Sequence, residues 1–265
     1  MKSIYVTIPA LLAVLSSAAP TEELEKRANP TIYLAGDSTM ALGGGGAKTN
    51  GWGVYFPFSV KNAKVVNAAI GGRSARSYTD EGRFTNLINK VVAGDYVVIE
   101  FGHNDGGSLS KTDNGRTACP GSGKETCTTP AGKVVQTYVT YLTNAAKALT
   151  AKGAKVIISS PTPNNICEGT TCGYTAPRFT AYGQLAAKNA GSSASFIDHG
   201  QYLANEYIRL DKKKVDTFYP VDHTHTSPEG ANVVAQTFVK AVLCGNGVLA
   251  PYMKNSTSSI PGKCN

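Results

Sequence analysis

The chain predicts an α/β protein, a three-layer α/β/α sandwich built on a five-stranded parallel sheet. Two observations carry this expectation. Short apolar, β-rich runs recur at 31–35 (TIYLA), 63–69 (AKVVNAA), 95–101 (DYVVIEF), 154–160 (AKVIISS) and 194–198 (ASFID). Between them lie longer segments with helical spacing, notably Val134 to Lys152, Arg178 to Ala190 and Pro228 to Leu243. Strands that alternate with helices pair in parallel through right-handed crossovers, which cover both faces of the sheet.

Ahead of the first strand stands a segment that does not belong to the fold. Lys2 precedes an apolar run from Ile4 to Leu15, too short to span a bilayer, and small residues follow at Ser16 to Ala19. Residues 1–19 therefore read as a secretory signal peptide. Residues 20–27 (PTEELEKR) read as an acidic propeptide ending in the dibasic pair Lys26-Arg27, which resembles the cleavage site of fungal kexin-like processing proteases. Residues 28–265 remain as a single domain of about 240 residues, enough for one sizeable core. Three basic and three acidic residues leave with the leader, so the formal net charge of +8 stays with the mature chain. That charge favours acidic partners without identifying one. No later apolar run is long enough to cross a membrane. Neither a membrane nor a nucleic acid is an expected partner, and the chain is expected to act as a secreted, extracellular monomer.

Ligands of parallel α/β sheets bind at the carboxyl ends of the strands, which turns position into information. Asp37-Ser38 follows the first run, Gly71-Gly72-Arg73-Ser74 the second, and Gly102-His103-Asn104-Asp105 the third. The last helix has a marked start: Ser227 can cap it, Pro228 suits its first turn and Glu229 suits its positive end. Directly upstream is Asp222-His223-Thr224-His225. Hydrolysis through a serine needs a base, a carboxylate that orients the base and donors for the oxyanion. The chain holds only four histidines, His103, His199, His223 and His225. Asp222 and His225 are spaced so that one turn brings the carboxylate to the imidazole.

Local readings compete with this one. Ser38 on its own reads as a helix N-cap as readily as a nucleophile. Asp37 reads as a turn former, His199 as structural and Trp52 as a core anchor, with sugar stacking as the other option. His-x-His at 223–225 could ligate a metal, but no clear third ligand accompanies it, so no metal and no cofactor are expected. The glycines at 43–46 read as a flexible rim.

The landmarks Ser38 in GDST, Gly72 in GGRS, Asn104 in GHND and His225 in DHTH occur in the order that resembles the SGNH, or GDSL-type, hydrolases. The stretches YLAGDSTMA, NGWG, GRSARSYTDEGRF, AGDYVVIEFGHNDGGSLS, DNGRT, AKGAKVI and DHTHTSPEGA extend the likeness over nearly all of 30–245. Together they resemble the fungal rhamnogalacturonan acetylesterases of that superfamily. The resemblance implies a flavodoxin-like fold and removal of O-acetyl groups from the rhamnogalacturonan backbone of pectin. It implies Ser38 as nucleophile, His225 as general base and then acid, and Asp222 as its orienter. The oxyanion hole it implies consists of the backbone N–H groups of Ser38 and Gly72 and the side-chain amide of Asn104. The partner is then an acetylated pectic polysaccharide. An acetyl xylan esterase, a general short-chain esterase or lipase of the same fold, and an inactive carbohydrate-binding protein are the alternatives.

For substrate contacts, Arg73, Arg76 and His103 are the candidates, since an arginine fork matches a uronate carboxylate. Internal pairing of these arginines with Asp80 and Glu81 is the competing expectation. All six cysteines lie beyond residue 118, and export makes disulfides the expected state. Six cysteines allow fifteen pairings. Near-neighbour pairing of Cys119 with Cys127, Cys167 with Cys172 and Cys244 with Cys264 is favoured because each closes a short loop. Asn255-Ser256-Thr257 is a glycosylation sequon in a polar tail.

Overall fold

The computed structural model describes residues 1–3, 29–111 and 113–265. The apolar leader run and the acidic segment ending at Arg27 lie outside the described residues. Five strands, β1 (Thr31–Gly36), β2 (Lys64–Asn67), β3 (Tyr96–Glu100), β6 (Lys155–Ser159) and β7 (Ala194–Ile197), form one sheet in the order β2-β1-β3-β6-β7. Every pairing in it is parallel. The sheet is the α/β/α arrangement expected from the alternation of runs, with β3 at its centre between β1 and β6.

Alternate residues of β1 serve opposite layers, as a pleated strand requires. Tyr33 and Ala35 face a core shared with α1 (Ala75–Asp80), α2 (Arg83–Lys90), α3 (Tyr138–Ala151) and α4 (Arg178–Ala190). Ile32 and Leu34 face a second core shared with α5 (His199–Asp216) and α6 (Pro228–Cys244). Both are fully buried, and each such side chain contributes roughly 1.5–3 kcal/mol by leaving water. Trp52 lies in this second core, stacked 4.7 Å from Phe238, so it is a structural residue rather than a sugar platform.

A polar cluster is sealed inside the same layer. Glu100, at the end of β3, accepts hydrogen bonds from Trp52 Nε1 at 2.8 Å, Ser159 Oγ at 2.6 Å and His199 Nδ1 at 2.8 Å. His199 and Glu100 are both buried. Pairing each donor with the carboxylate removes most of the penalty for placing a charge in the interior.

One helical expectation changes, and one helix is added. Val134–Gln136 is not the start of α3 but strand β5, antiparallel to β4 (Thr126–Thr128). Val134 and Val135 are β-branched, and the Cys119–Cys127 disulfide anchors the partner strand. Helix α3 begins after Thr137, whose hydroxyl accepts the N–H of Thr140 at 3.1 Å. Helix α5 was not marked by apolar spacing. It starts behind Asp198, which caps Gln201 N–H, and is interrupted at Asp211, where φ is 69°. At α6 the sequence signals hold: Ser227 Oγ accepts the Gly230 N–H, with Pro228 and Glu229 in the first turn. The remaining disulfides join Cys167 to Cys172 and Cys244 to Cys264.

Candidate active site

Three strands deliver three loops to one rim. β1 ends at Gly36, and the chain turns at once, with the N–H groups of Met40 and Ala41 both donating to Asp37 carbonyl oxygen. This single turn does not propagate, because the glycine-rich stretch from Gly43 follows. Ser38 therefore sits on a turn rather than opening a helix. Its side chain is largely buried, at 6% exposure, and points at a histidine from the other end of the chain.

His225 Nε2 lies 2.9 Å from Ser38 Oγ across a separation of 187 residues. The opposite nitrogen, Nδ1, lies 2.7 Å from Asp222 Oδ2. Asp222 Oδ1 also accepts the backbone N–H groups of His225 at 2.7 Å and Thr224 at 2.8 Å. The carboxylate thus holds both the ring and the turn that carries it. Nδ1–H donates to Asp222, which leaves Nε2 as the acceptor for the Ser38 hydroxyl. Burial pushes the Asp222 carboxyl up, but the hydrogen bonds from the His225 ring and the two N–H groups outweigh it, and its pKa falls below the ordinary carboxylate value.

The loops of the rim also carry N–H donors. Among the described residues, no hydrogen bond uses the backbone N–H of Ser38 or of Gly72. Gly72 has φ of 74°, a conformation that favours glycine. Asn104 Nδ2 donates to Arg73 carbonyl oxygen at 3.1 Å, which fixes the amide and leaves its second N–H free. A hydroxyl with a base at hand, an oriented base and undirected N–H donors together can carry out acyl transfer.

Residues 32–238 match the profile of the GDSL-like lipase/acylhydrolase family. The chain belongs to this family. It is 52% identical over 88% of its length to a rhamnogalacturonan acetylesterase of Emericella nidulans, covering 92% of that protein. It is 27% identical over 80% of its length to a probable rhamnogalacturonan acetylesterase, YesY, of Bacillus subtilis, covering 91% of it. Among solved structures, Bacillus subtilis YxiM shares the fold with a TM-score of 0.63 at 21% identity, over 81% of this chain and 56% of that one. An acetylxylan esterase of Geobacillus stearothermophilus does so with a TM-score of 0.55 at 15% identity, over 80% and 94% respectively.

In this GDSL-family esterase, the glycine stretch at 43–46 is more than a rim. A Cβ on Gly45 would stand 2.3 Å from His225 Cγ, and one on Gly44 would stand 2.0 Å from Ser38 carbonyl oxygen. The loop presses on the His225 ring and on the Ser38 backbone, and only glycine permits that approach. Arg76, named from sequence as a substrate contact, is corrected: it is buried at 1% exposure. Its NH1 and NH2 donate to Asp113 at 2.7 and 2.8 Å, and Thr117 carbonyl oxygen takes a third bond. Arg73 braces its loop, with Nε on Glu81 and NH1 on Gly71 carbonyl oxygen at 3.0 Å. His103 is partly open. Its Nε2–H donates to Thr162 carbonyl oxygen at 2.8 Å, beside a cleft of about 340 Å³ formed with Pro163, Asn164 and Tyr174.

Beneath the rim are two buried carboxyls, Asp37, which forms the turn expected of it, and Asp105, to which sequence reading gave no role. Asp37 Oδ1 accepts from Thr39 N–H at 2.9 Å and Thr39 Oγ1 at 2.8 Å. Asp105 Oδ1 accepts the Ala75 N–H at 2.8 Å, tying the third loop to the second. Neither Oδ2 has a partner among the described residues. Burial raises both carboxyls, Asp105 well above its ordinary value, where the nearby Asp37 adds to the shift. A raised native-state pKa means that the folded protein keeps a proton which the unfolded chain releases. Stability from this source is full below the ordinary carboxylate range and is lost as pH rises through the native value, at up to about 1.4 kcal/mol per pH unit. Asp105→Asn keeps an oxygen for Ala75 and cannot titrate. Urea denaturation across pH 4–8 is expected to show a shallower decline with pH for the variant than for the wild type, and identical slopes would assign the retained proton elsewhere.

Proposed function

We propose that the protein is a secreted carbohydrate esterase that removes O-acetyl groups from the rhamnogalacturonan backbone of pectin and acts as a monomer. The observation that carries the chemistry is the continuous chain Ser38 Oγ, His225 Nε2, His225 Nδ1, Asp222 Oδ2 beside unengaged N–H donors. The substrate class rests on the 52% identity to the Emericella enzyme. Three disulfides support export, and among the described residues no helix is long and apolar enough to cross a membrane. In this reading residues 1–19 are the signal peptide, 20–27 the propeptide and 28–265 the single catalytic domain, with Asn255 as a glycosylation site.

Ser38 Oγ attacks the acetyl carbonyl carbon while His225 Nε2 takes its proton. The carbonyl oxygen becomes an oxyanion, held by the N–H groups of Ser38 and Gly72 and the free N–H of Asn104. Collapse breaks the bond to the sugar oxygen, which leaves with the proton from Nε2. Water then attacks the acetyl-serine, giving its proton to Nε2, and the second collapse releases acetate and restores Ser38. Asp222 keeps the ring in the required tautomer and stabilises its transient charge without taking the proton.

Ser38→Ala is expected to abolish acetate release while circular dichroism stays unchanged; turnover at the wild-type rate would remove Ser38 from the chemistry. Acetate release measured side by side from acetylated rhamnogalacturonan, xylan and homogalacturonan should favour the first, and equal rates on all three would defeat the narrow substrate assignment. Gly45→Ala places a methyl group against the His225 ring. Displacement of a catalytic group by an ångström costs about 10²-fold, so kcat should fall by about that factor with KM little changed. A variant with unaltered kcat would show that the loop gives way instead.

A further inference from the structure

The arginines that sequence position singled out are occupied, and a different one is not. Arg116 is partly exposed on the loop that precedes Thr117. Its NH1 donates to Asn104 Oδ1 at 3.2 Å. The same nitrogen would lie 3.7 Å from a Cβ on Gly72. Arg116 thus stands beside both the amide and the glycine assigned to the oxyanion hole. Among the described residues no carboxylate pairs with it, whereas Arg73 and Arg83 share Glu81, and Arg76 holds Asp113 and Asp80.

Its backbone is anchored on both sides. Asn114 Oδ1 accepts the N–H groups of Arg116 at 2.9 Å and Thr117 at 3.2 Å. Thr117 Oγ1 donates to Gly106 carbonyl oxygen at 3.0 Å, and Ala118 N–H donates to Asp105 carbonyl oxygen at 3.1 Å. A guanidinium carries five donors in a planar fork, and among the described residues only NH1 is engaged. Nε and NH2 form the edge that matches a carboxylate in bidentate fashion.

Resting on the pectic reading above, we propose that Arg116 is a specificity-determining residue that receives the carboxylate of a uronate next to the acetylated sugar. A charged pair at the lip of the site selects acidic polymers over neutral ones. It also sets the sugar's register against Ser38, because the cation and the oxyanion donors share Asn104. Neutral acetylated polysaccharides find no partner for this group.

The test compares acetylated rhamnogalacturonan with the same polymer whose uronate carboxyls have been reduced to primary alcohols at matched acetyl content. Hydrogen bonds to a charged partner contribute about 1.5–3 kcal/mol, or roughly 10- to 100-fold. Wild-type kcat/KM is expected to be at least about tenfold higher on the native polymer. Arg116→Ala should bring the ratio of the two to within about twofold, and Arg116→Lys should retain an intermediate ratio, with melting temperatures confirming that both variants fold. The ratio cancels any general loss from slackening Asn104. An unchanged ratio in Arg116→Ala, or no wild-type preference on two polymers that are both hydrolysed, overturns the assignment. Absence of acetate release from either polymer by the wild type would overturn the pectic reading itself, and the inference with it.

Discussion

β1 pairs in parallel with β2 on one side and β3 on the other, and its last residue, Gly36, is in register with Glu100. A parallel register aligns the exits of neighbouring strands, so the residues after β1, β2 and β3 must leave the sheet side by side. Ser38, Gly72 and Asn104 come together for that reason, although nothing local in any one loop calls for the others. Crossover helices cover both faces and keep the strands from sliding, since a one-residue slip would turn Ile32 and Leu34 out of their layer. The fourth participant arrives differently. Capping of α6 by Ser227 fixes where the helix starts, and the Asp222 turn just before it holds His225 over Ser38.

The interior below this rim is unusually acidic. Glu100, Asp37 and Asp105 are buried within or beside the strand ends that carry the site. Glu100 has a donor for each oxygen and behaves as a structural hub. Asp37 and Asp105 are each half satisfied, and they flank Ser38 and Asn104 in sequence. Half-satisfied carboxyls cost stability unless they hold a proton. What they contribute is position: Asp37 ties the Ser38 turn through Thr39, and Asp105 ties the Asn104 loop to Ala75 and, through its carbonyl, to Ala118. The loops of the rim are short of regular structure, and these bonds supply rigidity that helices or strands would otherwise give.

Sequence patterning made the central sheet legible because buried parallel strands are continuous apolar runs with β-branched residues. It also located His225, one of only four histidines, with Asp222 spaced to reach it, and Ser38 by its place at the end of the first strand. Helix α5 escaped it, since Asp211 breaks the period and a run of lysines follows. β5 was absorbed into α3 because two valines fit either period until a disulfide and a turn choose one. The arginines show a different limit. Arg73, Arg76 and Arg116 have the same chemistry, and only their carboxylate neighbours tell them apart; Asp113, which takes Arg76, is 37 residues away. Likewise, the glycines at 44 and 45 read as freedom, whereas in three dimensions they fit closely against the Ser38 backbone and the His225 ring respectively.

Charge acts on this surface at two ranges. The net +8 draws a polyanion from a distance but falls off beyond a Debye length of about 8 Å at physiological salt, and it does not distinguish one acidic polymer from another. Selection requires a cation whose own position is fixed relative to the reacting atoms. Surface lysines with long, mobile stems do not meet that condition, and neither do Arg73 and Arg76, whose guanidinium groups are spent on holding loops in place. Arg116 meets it because its NH1 is tied to the Asn104 amide, the group proposed above for the oxyanion hole. In the proposed arrangement recognition and catalysis share one hydrogen-bonded frame, so that the geometry admitting the carboxylate is also the geometry placing the acetyl carbonyl before Ser38.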